Sequence, residues 1–336
     1  MSFEKKYNPS IDLLRIISIL SVLLIHVTTK TLELAKYDLT HHPLTLFFNQ
    51  APRFAVPIFF LVSAFVLELN YSANFNYFSY LKRRLSRLIL PYIFWSVIYY
   101  FFVYTNNSHP FALNLLSGES SYQLYFIPTL LIFYLLFPFI HQNINKLKNK
   151  FSIIILAIVQ LVLLSVDYYV HPLPLPYPVS VFLLNFDLFI VGILVSRHQK
   201  NVLEFIKKYR FMFLSISIIL AFFITFEGRN LYLKTNNYLS FYSQWRPSIF
   251  VYSLVFGGLM FSLLNKIKFN LFFIKKIASF SFFVYFIHVI FIEIIYRHFS
   301  TSLFFVPALP FLLVIIFSYF SAYLLSKIPR LSKFTG

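Results

Sequence analysis

Apolar residues run along this chain in long stretches broken by short polar or prolyl connections, and about 20 apolar residues are what a helix needs to cross a membrane. Ten such stretches stand out, at roughly 11–29, 44–69, 88–105, 122–140, 151–170, 179–196, 211–227, 247–264, 277–297 and 304–326. The sixth, VSVFLLNFDLFIVGILVS, carries Asp187 at its centre, and the seventh is short and ends at Glu227. The pattern predicts an all-α polytopic membrane protein of about ten transmembrane helices, 1–336 forming a single membrane-embedded domain with no fused soluble domain. HPLPLPYP at 171–178 reads as a stiff, extended turn, and 228–246 (GRNLYLKTNNYLSFYSQWR) as a polar and aromatic connection able to cover a cavity. The first stretch follows Lys5 and Lys6 but ends in HVTTKTLEL without a small-x-small site, so it reads as a retained helix rather than a cleaved signal.

Charge orients the helices. With the N-terminus inside, the connections on that side carry 21 Lys and Arg, in clusters such as Lys82, Arg83, Arg84 and Arg87, while the opposite side carries six: Lys30, Lys36, Arg229, Lys234, Arg246 and Arg297. Cytoplasmic loops are enriched in Lys and Arg, so both ends of this multi-pass cell-membrane protein are expected in the cytoplasm. Composition agrees, with 59% hydrophobic and only 12% charged residues, too few charges for a water-soluble surface and too many apolar groups for a disordered chain. The net charge of +18 would suggest nucleic acid in a soluble protein, but clusters between apolar runs point to membrane orientation and no nucleic-acid partner. The absence of cysteine excludes disulfides, thiolate metal sites and cysteine nucleophiles.

Ionisable groups inside spans are costly and mark function by default. Here they are Arg15, His26, Arg53, Asp187, His288 and Glu293, with Asp12 near the inner boundary. Arg15 and His26 are eleven residues apart, roughly 20° from eclipsed and about 16 Å apart along one helix. They form either a polar stripe for a substrate entering from the cytosol, or a snorkelling arginine and a satisfied interfacial histidine. Asp12 is one turn from Arg15 and can pair with it. Arg53 lies too deep for easy snorkelling, between Pro52 and Pro57, where a kink would free carbonyls; it is either functional or a structural partner of those carbonyls. Arg84 and Arg87 are one turn apart and can act together on a phosphate, or belong to an ordinary cluster binding anionic lipid. Ser281, Tyr285 and His288 share one helix face, on which His288 is either structural or catalytic. Asp187 suits a proton relay or an interhelical bond. The carboxylates are too scattered for a metal site, and GxSxG, GxGxxG, P-loop and HExxH motifs are absent.

These pieces, in order, resemble the membrane acyltransferase-3 family. IDLLRIISILSVLLIHV (11–27) is similar to its first helix, with Asp12, Arg15 and His26 in place. RFAVPIFFLVSAF (53–65) resembles its second-helix segment, with Ala64 where glycine is usual, and RRLSRLILPY (83–92) its Arg-x-x-Arg segment. YQLYFIPTLLIFYLLFP (122–138) looks like the fourth helix, with Gln123 where many relatives carry histidine, and SFFVYFIH (281–288) like a late helix. The resemblance implies acyl transfer from cytoplasmic acyl-CoA, acetyl-CoA first, to a hydroxyl of a cell-surface or exported glycan or a lipid-linked saccharide, as in the intercellular-adhesin O-acyltransferase-like members, without a metal. A glycan synthase and membrane lipid are the partners it implies. In that setting His26 is the general base or a transient acyl carrier, Arg53 polarises the thioester or holds a phosphate, and His288 orients the acceptor or shuttles a proton. Arg84, Arg87 and Arg15 would hold the CoA phosphates. A transporter or flippase of a glycan or lipid-linked precursor is the competing class, explaining the spans and buried charges equally well; a sensor or scaffold fits the buried polar set poorly.

Overall fold

The computed structural model describes residues 8–36, 38–39, 41–71, 76–104, 109–147, 150–266, 270–298 and 307–328. Both termini lie outside them, as do Lys5, Lys6, Lys148, Lys268, Arg330 and Lys333 of the inner-side cations, residue 105 of the third expected span and 304–306 of the tenth. The described residues form helices and no strands: α1 (Pro9–Leu34), α2 (Pro43–Gln50), a 3-10 turn (Ala51–Phe54), α3 (Ala55–Leu69), α4 (Tyr77–Ile98), α5 (Phe111–Ser117), α6 (Phe126–Asn143), α7 (Lys150–Ser165), α8 (Tyr177–Leu184) and α9 (Phe186–Arg197). There follow α10 (Gln199–Lys208), α11 (Arg210–Thr235), α12 (Tyr238–Tyr242), α13 (Pro247–Leu264), α14 (Leu271–His298) and α15 (Ala308–Ser326). Nine segments of the described residues can cross a membrane by length and composition, or ten if the bent pair α8–α9 is one span, so the chain is a multi-pass membrane protein.

Local chemistry sets the ends. Pro9, Pro43, Pro178 and Pro247 sit in first turns, where a missing N–H costs nothing. Asn8 and Asn76 cap α1 and α4 by accepting from Ser10 N at 3.0 Å and Ser79 N at 2.9 Å. Gly118 ends α5 at φ +79°, where a Cβ would strike the Tyr125 backbone.

Several segments run past their expected limits, two of them farthest. The third starts at Tyr77 rather than 88, because the Asn76 cap lies that far upstream; Arg84 and Arg87 are therefore inside α4, not before it. The seventh passes Glu227 and ends at Thr235, with Asn236 in the left-handed conformation, so the first half of the expected connection 228–246 is helix.

The described helices group into two compact units. One contains residues 63–197 and 324–328, the other 8–62 and 198–323. In the first, α6 packs on α4 and α8, with Phe133 between Phe182 and Phe189 at ring distances of 4.6 and 4.3 Å. The sixth span bends by 46° at Asn185. Gln160 of α7 spans the break, donating to Leu184 O at 3.0 Å and accepting from Asp187 N at 3.3 Å. In the second unit, α1 packs along α14, α2, the 3-10 turn and α13, and α11 packs on α12 and α13. Leu32, Leu39, Leu46 and Phe241 form a small core beside Tyr232 and Tyr242. The spans with the largest buried shares are Pro9–Leu34 (50%) and Pro43–Leu69 (61%), against 11% for Phe151–Val170, so interior polar chemistry belongs to α1–α3 and lipid to α7.

Gln160→Leu leaves a buried carbonyl and a buried N–H at the break. The expected loss is about 1–3 kcal/mol, read as a lower midpoint of thermal unfolding in detergent; an unchanged midpoint would show that the break needs no bridge.

Candidate functional site

Four of the expected site residues, Arg15, His26, Arg53 and His288, lie in the second unit. On α1, Arg15 Nη1 pairs with Asp12 Oδ1 at 2.9 Å, half-exposed. Three turns on, His26 is half-buried, and its ring stacks on that of His288 with centroids 5.3 Å apart and planes 28° apart. The two histidines meet because α1 and α14 run together, and this seam is closed just beyond them. Tyr296 Oη donates to Val27 O at 3.1 Å and lies 2.8 Å from Thr31 Oγ1, while Glu293 pairs with Lys30 at 3.6 Å and Arg297 at 3.4 Å.

The tautomer of His288 follows from its neighbour. Its Nδ1 is 3.1 Å from Val284 O, and a carbonyl only accepts, so Nδ1 carries the proton. Nε2 is left as an acceptor, fully buried and without a hydrogen-bond partner among the described protein groups. An acceptor kept open beside a second imidazole is suited to receiving a proton. Ser281 and Tyr285 share its face and are buried with it, the Tyr285 ring 6.4 Å from the His288 ring.

Arg53 is held by the break in the second span. The 3-10 turn carrying Pro52 separates α2 from α3 and turns the side chain inward, where it is buried. Nη2 donates to Asn49 Oδ1 at 2.7 Å, Nη1 donates to Tyr242 O, and the guanidinium lies 5.8 Å from the Tyr242 ring centroid. Its polar partners thus come from α2 and α12. Asn49 Nδ2 faces Ile25 O (3.2 Å), Thr28 Oγ1 (3.1 Å) and Thr29 Oγ1 (2.9 Å), fastening this turn to the residues on both sides of His26.

The polar cluster extends to residues that sequence reasoning missed. Arg246, expected as a solvated cation of an outer connection, is fully buried. Its Nη1 donates to Ile224 O at 2.9 Å and to Glu227 Oε2 at 3.1 Å, and its Nη2 donates to Gln50 Oε1. Ser248 Oγ donates to the same Glu227 oxygen at 2.5 Å. Gln50 Nε2 donates to Asn49 Oδ1 at 2.9 Å and to Phe241 O at 3.0 Å, closing the line from Arg246 to Arg53. The usable signal was a carboxylate at the end of one span, Glu227, with an arginine directly before Pro247 at the start of the next.

Arg84 and Arg87 belong to the first unit. Arg84 is half-buried, 5.8 Å from the Tyr134 ring centroid, and Arg87 is exposed one turn on. In the same unit Glu68 receives His141 Nδ1 at 2.6 Å and Arg197 Nε at 2.7 Å, with Tyr71 stacked on His141 at 3.7 Å. Asp187 is buried at the start of α9, beside the break that Gln160 spans, and Gln123 is buried, accepting from Ser121 Oγ at 2.5 Å. Among the described residues no three His, Asp or Glu side chains gather into a metal-binding group.

Glu227→Ala would leave the Arg246 guanidinium buried without its carboxylate, an expected loss of about 3–5 kcal/mol. Detergent-solubilised yield and unfolding midpoint should both fall, and fall less for Glu227→Gln; equal stability of all three proteins would show that Arg246 needs no counter-charge.

A family model described as "Acyltransferase domain" matches residues 8–327. Proteins named probable poly-beta-1,6-N-acetyl-D-glucosamine export protein, from Staphylococcus aureus strains Mu50, MRSA252 and MSSA476, are each 25% identical over 316 residues, 88% of this chain and 85% of theirs. No solved structure matches the chain.

Proposed function

This chain belongs to the acyltransferase domain family, and on that premise we propose that it moves an acyl group, acetyl first, from cytoplasmic acyl-CoA to a hydroxyl of a cell-surface or exported glycan or a lipid-linked saccharide. The observation that carries the proposal is the stacked pair His26–His288, with Arg53 tied through Asn49 to the Ile25 carbonyl next to His26, inside a membrane domain of an acyltransferase family. An alcohol must lose its proton as it attacks a thioester, and an imidazole takes it at neutral pH. His26, the more accessible of the pair, acts on the acceptor hydroxyl; His288, with Nδ1–H committed to Val284, offers Nε2 as the next acceptor for that proton. The new C–O bond forms as the C–S bond breaks, and the proton leaves with the CoA thiol. Arg53 stabilises the oxyanion that develops on the carbonyl oxygen. A transient acyl group on His26 is the variant route.

CoA is a polyanion. The candidates for its phosphates are, in the first unit by itself, Arg84 and Arg87 one turn apart and, in the second unit by itself, Arg15 with its partly exposed Asp12 pair. A glycan synthase would supply the acceptor chain. A second reading, translocation of a polysaccharide, has one observation in its favour: the relatives' names describe export of a poly-N-acetylglucosamine.

Two variants test these assignments. His26→Ala, at equal membrane abundance, is expected to cut surface-glycan acylation by about 100-fold or more, measured by mass spectrometry of the polysaccharide. Full acylation with the variant would remove His26 from the chemistry, and unacylated polysaccharide that still needs the wild-type protein to reach the surface would favour export. Arg84→Ala with Arg87→Ala should raise the KM for acyl-CoA on the order of tenfold or more in native membranes; an unchanged KM would assign the pair to lipid headgroups.

A further inference from the structure

Arg246 and Gln50 take no part in the proton and acyl movements above, yet they are among the most deeply buried polar side chains of the second unit. A buried ion pair is weak evidence for stability, since well-packed apolar residues often serve as well. What this pair does have is direction. Arg246 is donor-only, so the oxygen of the Gln50 amide must face it. The Gln50 amide nitrogen is thereby turned away, toward Asn49 Oδ1 and Phe241 O. Asn49 then presents its oxygen to Gln50 and to Arg53, and its nitrogen to Ile25 O and to the hydroxyls of Thr28 and Thr29. An amide can turn over at little cost in volume, but here a donor-only guanidinium at each end fixes the sense of both amides. Gly228 lets the line pass: a Cβ there would stand 3.0 Å from Gln50 Oε1 and 3.2 Å from Arg246 Nη1.

We propose that Arg246 and Gln50 are positioning residues for acyl transfer: they set the orientation of Asn49, whose oxygen holds the Arg53 guanidinium while its nitrogen reaches the Ile25 carbonyl next to His26. The proposal rests on the acyl-transfer reading of the same site. It assigns Arg53 a fixed place before substrate arrives, as a group that stabilises developing charge requires, and gives the far end of that arrangement to α11 and α13.

Gln50→Glu tests it with almost no change in volume. The new carboxylate still accepts from Arg246, but it can no longer donate to Asn49, whose amide then turns its nitrogen toward the carboxylate and withdraws its oxygen from Arg53. Turnover is measured in membrane vesicles as transfer of label from radiolabelled acetyl-CoA to the cells' own surface polysaccharide, per folded protein, with the unfolding midpoint recorded in parallel. The expected result is a fall in kcat per folded protein on the order of 100-fold, as for a small misplacement of a catalytic group, at a KM for acetyl-CoA close to wild type and with a lower midpoint, because the buried Phe241 carbonyl loses its donor. Added to Arg53→Met, Gln50→Glu should cause no further loss, because both act through one group. Additive losses, or a lower midpoint with unchanged turnover per folded molecule, would overturn the positioning role. If Gln50→Glu does not accumulate, Arg246→Lys enters the same cycle: it keeps a positive charge for Glu227 but lacks the fork that reaches Gln50 at the same time. Wild-type vesicles that move no label would overturn the acyl-transfer reading, and this proposal with it; labelled polysaccharide with additive losses would overturn the proposal alone.

Discussion

A guanidinium with no solvent exposure cannot stand among apolar helices unless its donors and its charge are answered nearby. Arg246 imposes that condition on much of the second unit. Its acceptors are the Ile224 carbonyl midway along α11, the Glu227 carboxylate one turn later and the Gln50 amide at the end of α2. Its own backbone is extended, at φ −71° and ψ 139°, as the residue before a proline prefers, and Pro247 starts α13 at once. One side chain therefore fixes where α11 and α13 meet and which way the end of α2 faces. The break at Ala51–Phe54 is then less a defect of the second span than the device that turns Asn49, Gln50 and Arg53 to one side of it.

The histidine pair depends on a different contact, the seam between α1 and α14. Packing brings the two rings within stacking distance, and polar bonds at the Tyr296 and Glu293 end of α14 hold the register. A one-residue slip of either helix would swing a ring about 100° around its axis and end the stack. Asn49 ties the two systems together, since its amide reaches the Ile25 carbonyl beside His26 while its oxygen holds Arg53.

Most of the fold was legible because lipid leaves the backbone little choice: each apolar stretch had to satisfy its own N–H and C=O groups, and the only simple way is a helix. The same cost of burying charge singled out Arg15, His26, Arg53, Asp187, His288 and Glu293, of which all but Asp187 lie in the second unit. Arg246 escaped because a count by connections treats every cation between spans as solvated, whereas α11 runs past Glu227 and leaves a turn short enough to bury it. Asn49 and Gln50 escaped for a plainer reason. Uncharged amides carry no signal in a charge count, and their work here is orientation. The bend at Asn185 was equally hidden, with no proline or glycine at the break to announce it.

The arginines also differ in what it takes to recruit them. Arg15 and Asp12 form a pair one turn apart in which the Arg15 side chain is about a third exposed, so an arriving anion can reach Arg15 from the surface. Arg53 is buried, and any group that drew it away would have to replace bonds to Asn49 and Tyr242 where water does not readily substitute. The first is built to change partners and the second to stay where it is. On the proposed acyl-transfer reading, charge that binds and releases a polyanionic donor would belong at the more exposed end of α1, charge that meets a developing oxyanion would belong where it cannot move, and the line from Arg246 through Gln50 and Asn49 would keep it there.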